Sequence, residues 1–423
     1  LRFNIPNKFA TVCCFIVFYP TTSKKDLWNL MPTNAYSIVE EFKVSYKHQV
    51  VFTENIFDVR NPLLATTIQE LCRNERTKIF IVIDAPLLKA IPILQSQIDE
   101  YFTHHDASLQ MVACWSLPGG EQLKNHAEYL QNLYTEIDKH DLCRHSCVLA
   151  IGGGALLDVV GYAAATAHRG IRHIRLPTTS LSQGDGGCGV KNSVNFATKK
   201  NFLGTFTPPH AVLNDLNFLN ALPQAQLIDG YIEAVKVALI KDADFFRMIE
   251  QQADALLDRN PKAIAQVIQT SARHHILHIT RNGDPFELTT SRPLDFGHWA
   301  AHKLEAISDF TLSHGQAVAI GIALDSIYSQ RTGFLDENQL ERILNLIEAL
   351  GFKCFHITLS QRIKNGDYLI VKGLEEFRQH LGGQLTIPLV REIGAQFEVH
   401  EMDKGILEDC IDQLKQRTFN PVE

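Results

Sequence analysis

Up to Leu222-Pro223 the chain alternates short apolar runs with stretches of helical periodicity, and beyond that point the helical period takes over. Lys47–Thr53, Lys78–Ile83, Gln110–Ser116, Ser146–Ile151 and Ile171–Leu176 read as strands, and Glu121–Asp138 reads as a helix between them. Strands separated by helices argue for a parallel α/β sheet. After the change, Gln224–Leu257, Pro261–Arg281, Asp295–Ile307, His314–Arg331 and Asp336–Leu350 read as helices. Pro261 and Pro293 sit near helix starts, where proline is tolerated, and Gly351 follows its helix as a C-terminal stop. The expected organisation is α/β plus all-α: an extension of unclear role over 1–45, an α/β domain over 46–222 and a helical domain over 223–423.

Composition narrows the class. The chain has 423 residues, 45% hydrophobic and 21% charged, which suits a soluble protein of two ordinary domains. A net charge of -7 argues against a nucleic-acid or anionic-membrane partner, which usually needs a basic face. A small anionic ligand remains compatible, because a few lysines in one cleft suffice. Nine scattered cysteines, an odd number, argue against a disulfide framework and for a reducing cytoplasm. Cys143 and Cys147 have no second pair nearby and are read as ordinary thiols. The apolar run Phe9–Tyr19, with Lys8 before it, is too short to span a bilayer and lacks a small-residue cleavage site. It is read as an extension or a first strand, and no later run is long enough for a membrane helix.

Three motifs carry chemistry. Ser146–Ile151 runs into Gly152-Gly153-Gly154, with Asp158 one turn into the next helix. Glycines at a strand end let the backbone approach a diphosphate, and the helix N-terminus offers it N–H groups, although an ordinary tight turn has the same pattern. Gln183–Asn195 and Lys199-Lys200-Asn201 are dense in glycine, lysine and amide groups and include Asp185 and Lys191. Such a segment makes a poor helix or strand and suits either an anionic, hydroxyl-rich ligand or a solvated loop. His298 and His302 are four apart and share a helical face, and His314 starts the next helical segment. Glu233 lies in an otherwise apolar helix. Two histidines and a glutamate with an open position make a catalytic zinc set, although HxxxH pairs also arise by chance in a chain with 18 histidines.

The order of these motifs is more specific than any of them. GGGxxxD at Gly152–Asp158, PTT at Pro177–Thr179, QxDxxxGxK at Gln183–Lys191, Lys200-Asn201, ExxK at Glu233–Lys236, FGHxxxH at Phe296–His302 and HG at His314-Gly315 follow one another. From about Pro118 to Gly321 the chain resembles the dehydroquinate synthase superfamily of sugar-phosphate cyclases. That resemblance implies a Rossmann-like NAD domain followed by a helical metal- and substrate-binding domain, assembled as a homodimer. It implies NAD contacts from Asp84, Glu121, Lys124, Gly153, Gly154, Asp158, Thr178 and Thr179. It implies zinc or cobalt ligands at Glu233, His298 and His314, with His302 near the substrate phosphate. Asp185, Lys191, Lys200, Asn201 and Lys236 match the substrate-binding set. The implied chemistry is transient oxidation by NAD, β-elimination of phosphate, re-reduction, and intramolecular aldol closure in a closed site.

The branch is read from what a substrate carboxylate would need. The dehydroquinate synthases carry Asn three residues before the first metal histidine and Arg seven before; here those positions are Asp295 and Ser291, with Arg292 displaced by one. A lysine expected in the upstream helix is replaced by His274, His275 and His278, and Phe377–Ile387 lacks the expected basic pair. Asp295 would repel a carboxylate and accept from hydroxyls. Arg292–His298, Gly189–Asn192 and His380–Gly383 resemble the sedoheptulose 7-phosphate cyclases, which make valiolone-type cyclitols. The alternatives are a 3-dehydroquinate synthase and an NAD- and metal-dependent polyol dehydrogenase. Lys191, Lys199 and Lys200 argue for a phosphorylated substrate and against the dehydrogenase.

Overall fold

The apolar runs of the first half become strands: β1 Val50–Thr53, β2 Thr77–Asp84, β3 Leu109–Leu117, β4 Cys147–Gly152 and β5 Arg172–Pro177. A hairpin of β6 Lys191–Phe196 and β7 Lys199–Phe206 follows, then β8 Ala211–Asp215. These elements come from a computed structural model that describes residues 38–419 apart from 74, 198, 282–284, 287–291, 310 and 365. Phe9–Tyr19 and Ser291 lie outside the described residues. Tyr46 and Lys47 mark the division between two units, and Ile38–Tyr46, the described part of the first, forms no regular element. The change of character at Leu222-Pro223 falls inside the second unit.

The main sheet is parallel, in the order β1-β8-β5-β4-β2-β3. Strand β2 shows why its sequence is apolar throughout. Ile79, Ile81 and Ile83 enter one core with Leu64, Ile68 and Ile98. Phe80 and Val82 enter another, on the opposite face, with Leu133, Leu156 and Val160. A strand covered on both faces needs an uninterrupted apolar run, and each such side chain contributes about 1.5–3 kcal/mol by burial. Because the strands are parallel, Asp84, Leu117, Gly152 and Pro177 end at the same edge of the sheet, where ligands of open α/β sheets bind.

Helix α1, Gly154–Thr166, follows β4, and the short α2, Ser180–Gly184, follows β5. Beyond residue 222 lie α3 Gln224–Lys241, α4 Pro261–Arg281, α5 His298–Ile307 and α6 His314–Arg331, which share one large apolar core. Among the described residues no helix is long and apolar enough to cross a membrane.

Several expected elements need correction. The helix over Gln224–Leu257 is three helices: Asp242 leaves helical geometry and caps the second through Asp244 N and Phe245 N, both at 3.0 Å, and Gln252 leaves it again before the third. The helix over Glu121–Asp138 is a 3-10 turn, Glu121–Asn125, and a helix, Ala127–Lys139, with His126 extended between them. Helix α5 starts at His298 and not at Asp295, since Gly297 before it takes φ +77°. The polar segment after Gln183 is not a loop throughout. It closes as the β6–β7 hairpin, in which Gly204 opposes Ser193. The second half is not all helical: Ile387–Glu392 and Ala395–Val399 form an antiparallel hairpin, β9 and β10, turning at Gly394 with φ +95°. These strands are short and joined by a tight turn, so their alternation is brief.

Candidate active site

Helices α3, α5 and α6 bring the expected metal set together. The ligand atoms of Glu233, His298 and His314 lie within 4.8 Å of one another. Glu233 Oε1 is 3.3 Å from His314 Nε2 and 3.7 Å from His298 Nε2. A tetrahedral ion with bonds of about 2.1 Å sets its ligands about 3.4 Å apart, so the donor set fits a small divalent cation. Glu233 is 2% exposed, and neither of its carboxylate oxygens has a hydrogen bond of regular geometry. Lys236 contacts Oε2, and Oε1 faces the two histidine Nε2 atoms, so a cation held between them would complete the neutralisation of this buried carboxylate.

Each histidine has its other nitrogen engaged. His298 Nδ1 lies 3.1 Å from the Phe296 carbonyl, and His314 Nδ1 lies 3.3 Å from Glu305 Oε1. A donor N–H on that side leaves Nε2 facing Glu233 Oε1, where its lone pair would be free for a metal held between them. Burial and the Lys236 charge hold the His298 pKa down, which favours the neutral ligand form. Burial opposes charge on His314, but Glu233 and Glu305 outweigh it and push its pKa up to about 9.

Beside this set runs a buried row of charge. Lys236, one turn along α3, contacts Glu233 and lies 3.4 Å from Asp185 Oδ2. His275 Nδ1, from α4, lies 2.9 Å from Asp185 Oδ1. Burial opposes ionisation of all three members Glu233, Lys236 and Asp185. Mutual attraction prevails, holding both carboxyls below their usual range and Lys236 above its own. Lys200, on β7, reaches Glu305 Oε1 at 3.3 Å. The exposed ring of His302 lies 5.5 Å from that of His298, centre to centre. Asp295 is half-buried and its charge is felt by Lys236 and His298. Arg292 precedes the short turn Pro293–Asp295, and Lys191 opens β6 with an exposed side chain.

The residues expected to meet NAD gather at the C-terminal edge of the sheet. Asp84 closes β2, accepts from Gly153 N at 3.2 Å, and keeps Oδ1 buried without a partner. Gly154, the first residue of α1, has open space where a side chain would stand. Thr178 N bonds the Gly152 carbonyl, and the Thr179 hydroxyl caps α2 through Ser182 N at 3.1 Å. Lys124 is buried, 2.5 Å from Asp158 Oδ2 and 3.7 Å from Glu121. Asn201, expected with the substrate set, lies in this group: its Oδ1 accepts from Lys124 at 2.8 Å and Ser193 at 2.9 Å. A helix N-terminus with open glycine, an orphaned carboxylate oxygen and polar side chains at the strand ends suits a dinucleotide.

Sequence reasoning missed Glu305, Ser193 and Arg175. Glu305 lies two turns after His298 on α5, a spacing that puts it on the same face. Arg175 is fully buried in β5 and donates to the carbonyls of Gly187, Gly189 and Lys191 and to Asn192 Oδ1. It shapes the glycine-rich segment from below, and its position in an apolar strand was the available signal.

The fold agrees with comparisons to known proteins. Two family models match in succession: 3-dehydroquinate synthase N-terminal over residues 114–229 and 3-dehydroquinate synthase C-terminal over residues 230–366. The chain is 34% identical to a 3-dehydroquinate synthase of Nitrosococcus oceani over 298 residues, 70% of this chain and 81% of that one. It is 28% identical to a 2-epi-5-epi-valiolone synthase of an Actinomyces species over 394 residues, 90% of this chain and 98% of that one. Its structure is similar to that of the 2-epi-5-epi-valiolone synthase of Streptomyces hygroscopicus subsp. jinggangensis 5008, solved with NAD+ and Zn2+ bound. There the TM-score is 0.79 at 30% identity, over 90% of this chain and 100% of that one.

Proposed function

We propose a substrate for this chain, which belongs to the 3-dehydroquinate synthase family of sugar-phosphate cyclases: sedoheptulose 7-phosphate, cyclised with loss of phosphate to a valiolone-type cyclitol. The observation that carries this reading is the carboxylate of Asp295, half-buried three residues before His298 and close enough for its charge to be felt there. A substrate carboxylate at that place would meet like charge, whereas a hydroxymethyl ketone offers hydroxyl hydrogens for Asp295 to accept. The 2-epi-5-epi-valiolone synthases, which align over nearly their whole length, support the same branch.

Glu233, His298 and His314 would hold a divalent metal, and Asp84, Glu121, Lys124, Gly153, Gly154, Asp158, Thr178 and Thr179 would hold NAD. When bound, the metal supplies Lewis acidity and NAD supplies a hydride acceptor that is restored within the turnover. The chain's own residues do the rest. Lys236, kept charged between Glu233 and Asp185, stabilises negative charge that grows on a neighbouring oxygen. Asp185, held ionised by Lys236 and His275, accepts a hydroxyl hydrogen of the sugar. Lys191, Lys200 and Arg292 supply cations for the phosphate, and His302 presents an exposed ring as a donor to the leaving group.

Phosphate release from metal-loaded protein with NAD tests the reading. Sedoheptulose 7-phosphate and 3-deoxy-arabino-heptulosonate 7-phosphate are offered separately. Release from sedoheptulose 7-phosphate alone, without net NADH, is expected. Release from the carboxylated sugar alone would make the protein a 3-dehydroquinate synthase. Net NADH from a simple polyol would support a dehydrogenase instead.

A further inference from the structure

The two metal-ligand histidines are oriented by different means. His298 has a backbone carbonyl, Phe296 O, at its Nδ1. His314 is the first residue of α6 and has a side chain there instead, Glu305 Oε1 at 3.3 Å. The same oxygen lies 3.3 Å from Lys200 Nζ, while Oε2 is buried with no hydrogen-bond partner. Glu305 is 5% exposed, so the contacts are made largely out of water. One carboxylate oxygen thus joins α5, α6 and the β6–β7 hairpin. We propose that Glu305 is a positioning residue, which fixes His314 in the tautomer that presents Nε2 to the metal and tethers Lys200 beside it.

The physical reason is the asymmetry of imidazole. A neutral ring has one donor and one acceptor nitrogen, and the partner of one decides the role of the other. A carboxylate at Nδ1 selects Nδ1–H, raises the basicity of Nε2 and holds the ring plane. Glu233 Oε1 lies 3.3 Å from that Nε2, on the metal side. This inference rests on the metal reading proposed above.

The test uses cobalt(II) alone on the metal-free full chain. The dissociation constant is read by chelator competition and the coordination by visible ligand-field bands, in wild type, Glu305→Gln and Glu305→Ala. Loss of about 10–100-fold in affinity is expected for Glu305→Ala, with altered bands, and a smaller loss for the isosteric Glu305→Gln. Lys200→Met is expected to leave cobalt affinity unchanged, because Lys200 does not set the tautomer. Wild-type affinity and spectrum in both Glu305 variants would overturn the proposal. So would an equal loss in Lys200→Met, which would mean that charge alone is at work. Loss confined to Glu305→Ala, together with loss of its near-ultraviolet circular dichroism, would mean a merely structural role. A wild type that binds no cobalt would overturn the metal reading itself, and this inference with it.

Discussion

At the scale of residues, the metal set is carried by few atoms and each can be removed. His298→Ala takes away one of three gathered donors and leaves Glu233 buried with a weaker partner set. Its purified protein is expected to retain little zinc or cobalt by elemental analysis, with turnover lowered by at least about 100-fold; a stoichiometric metal content would contradict the assignment. Asp325 supplies a test of pH. It accepts from Gly297 N at 3.1 Å and Trp299 Nε1 at 2.9 Å, just beside His298. Burial pushes its pKa up to about 7 despite those two bonds. Tyr328 and Cys410 also face it, and both have raised pKa values, so they stay neutral in the range that matters. In the unfolded chain the carboxyl titrates near 4, so the folded state keeps a proton that the unfolded state has lost. This contribution to stability is full below about pH 4 and is lost as the pH rises through about 7. Asp325→Asn is expected to flatten the fall in Tm across that window, and an unchanged slope would place the titration elsewhere. The candidate metal set was only partly legible: the HxxxH spacing pairs His298 with His302, and His314 joined Glu233 and His298 through the family resemblance. The link between Lys200 and Glu305 was not legible, since the two meet across 105 positions and a partner that distant leaves no mark beside it.

Among the elements, the α5–α6 contact decides whether the two histidines converge. Gly297 takes φ +77°, and a Cβ on Gly321 would stand 2.0 Å from the Gly297 carbonyl oxygen. The helices touch backbone to backbone there, and a methyl group cannot enter without moving the start of α5. Gly321→Ala is expected to cost about 1–3 kcal/mol or more in urea unfolding and to weaken metal retention at the same time. Unfolding at the wild-type midpoint would show that the helices have slack. The hairpin β6–β7 has its own anchor in Arg175. Arg175→Met would strip Gly187, Gly189, Lys191 and Asn192 of a shared buried donor. A loss of about 3 kcal/mol or more is expected, and KM for the sugar phosphate should rise because Lys191 and Lys200 sit on that hairpin. Equal stability would mean that water replaces the guanidinium. This hairpin escaped sequence reading because glycine and polar residues hide the strand period, and its order depends on an arginine from a different element. Strands β2 and β4, in contrast, are self-declaring: burial on both faces demands apolar runs.

Over the whole second unit, the cofactor edge and the metal helices are joined by buried links. Lys236 of α3 pairs with Asp185, which follows α2, and the Ser180 hydroxyl bonds the Leu227 carbonyl at 2.7 Å. We expect NAD affinity, measured by titration with and without cobalt, to differ by about 5-fold or more, and cobalt affinity to respond to NAD by the same factor. Independent affinities would mean that the links transmit nothing. The parallel sheet followed by helices was visible in the alternation of periods, whereas the partners of each strand were not, because register and order are set by packing and not by any one segment. That order has a cost in time. Among the described residues strand β1 pairs only with β8, and Val50 meets Val212 about 160 residues later. A ribosome adding about 5–20 residues per second needs about 8–30 s to produce the second strand after the first. Throughout that interval Val50–Thr53 is without its neighbour, so the sheet cannot be finished at this edge until Ala211–Asp215 has followed.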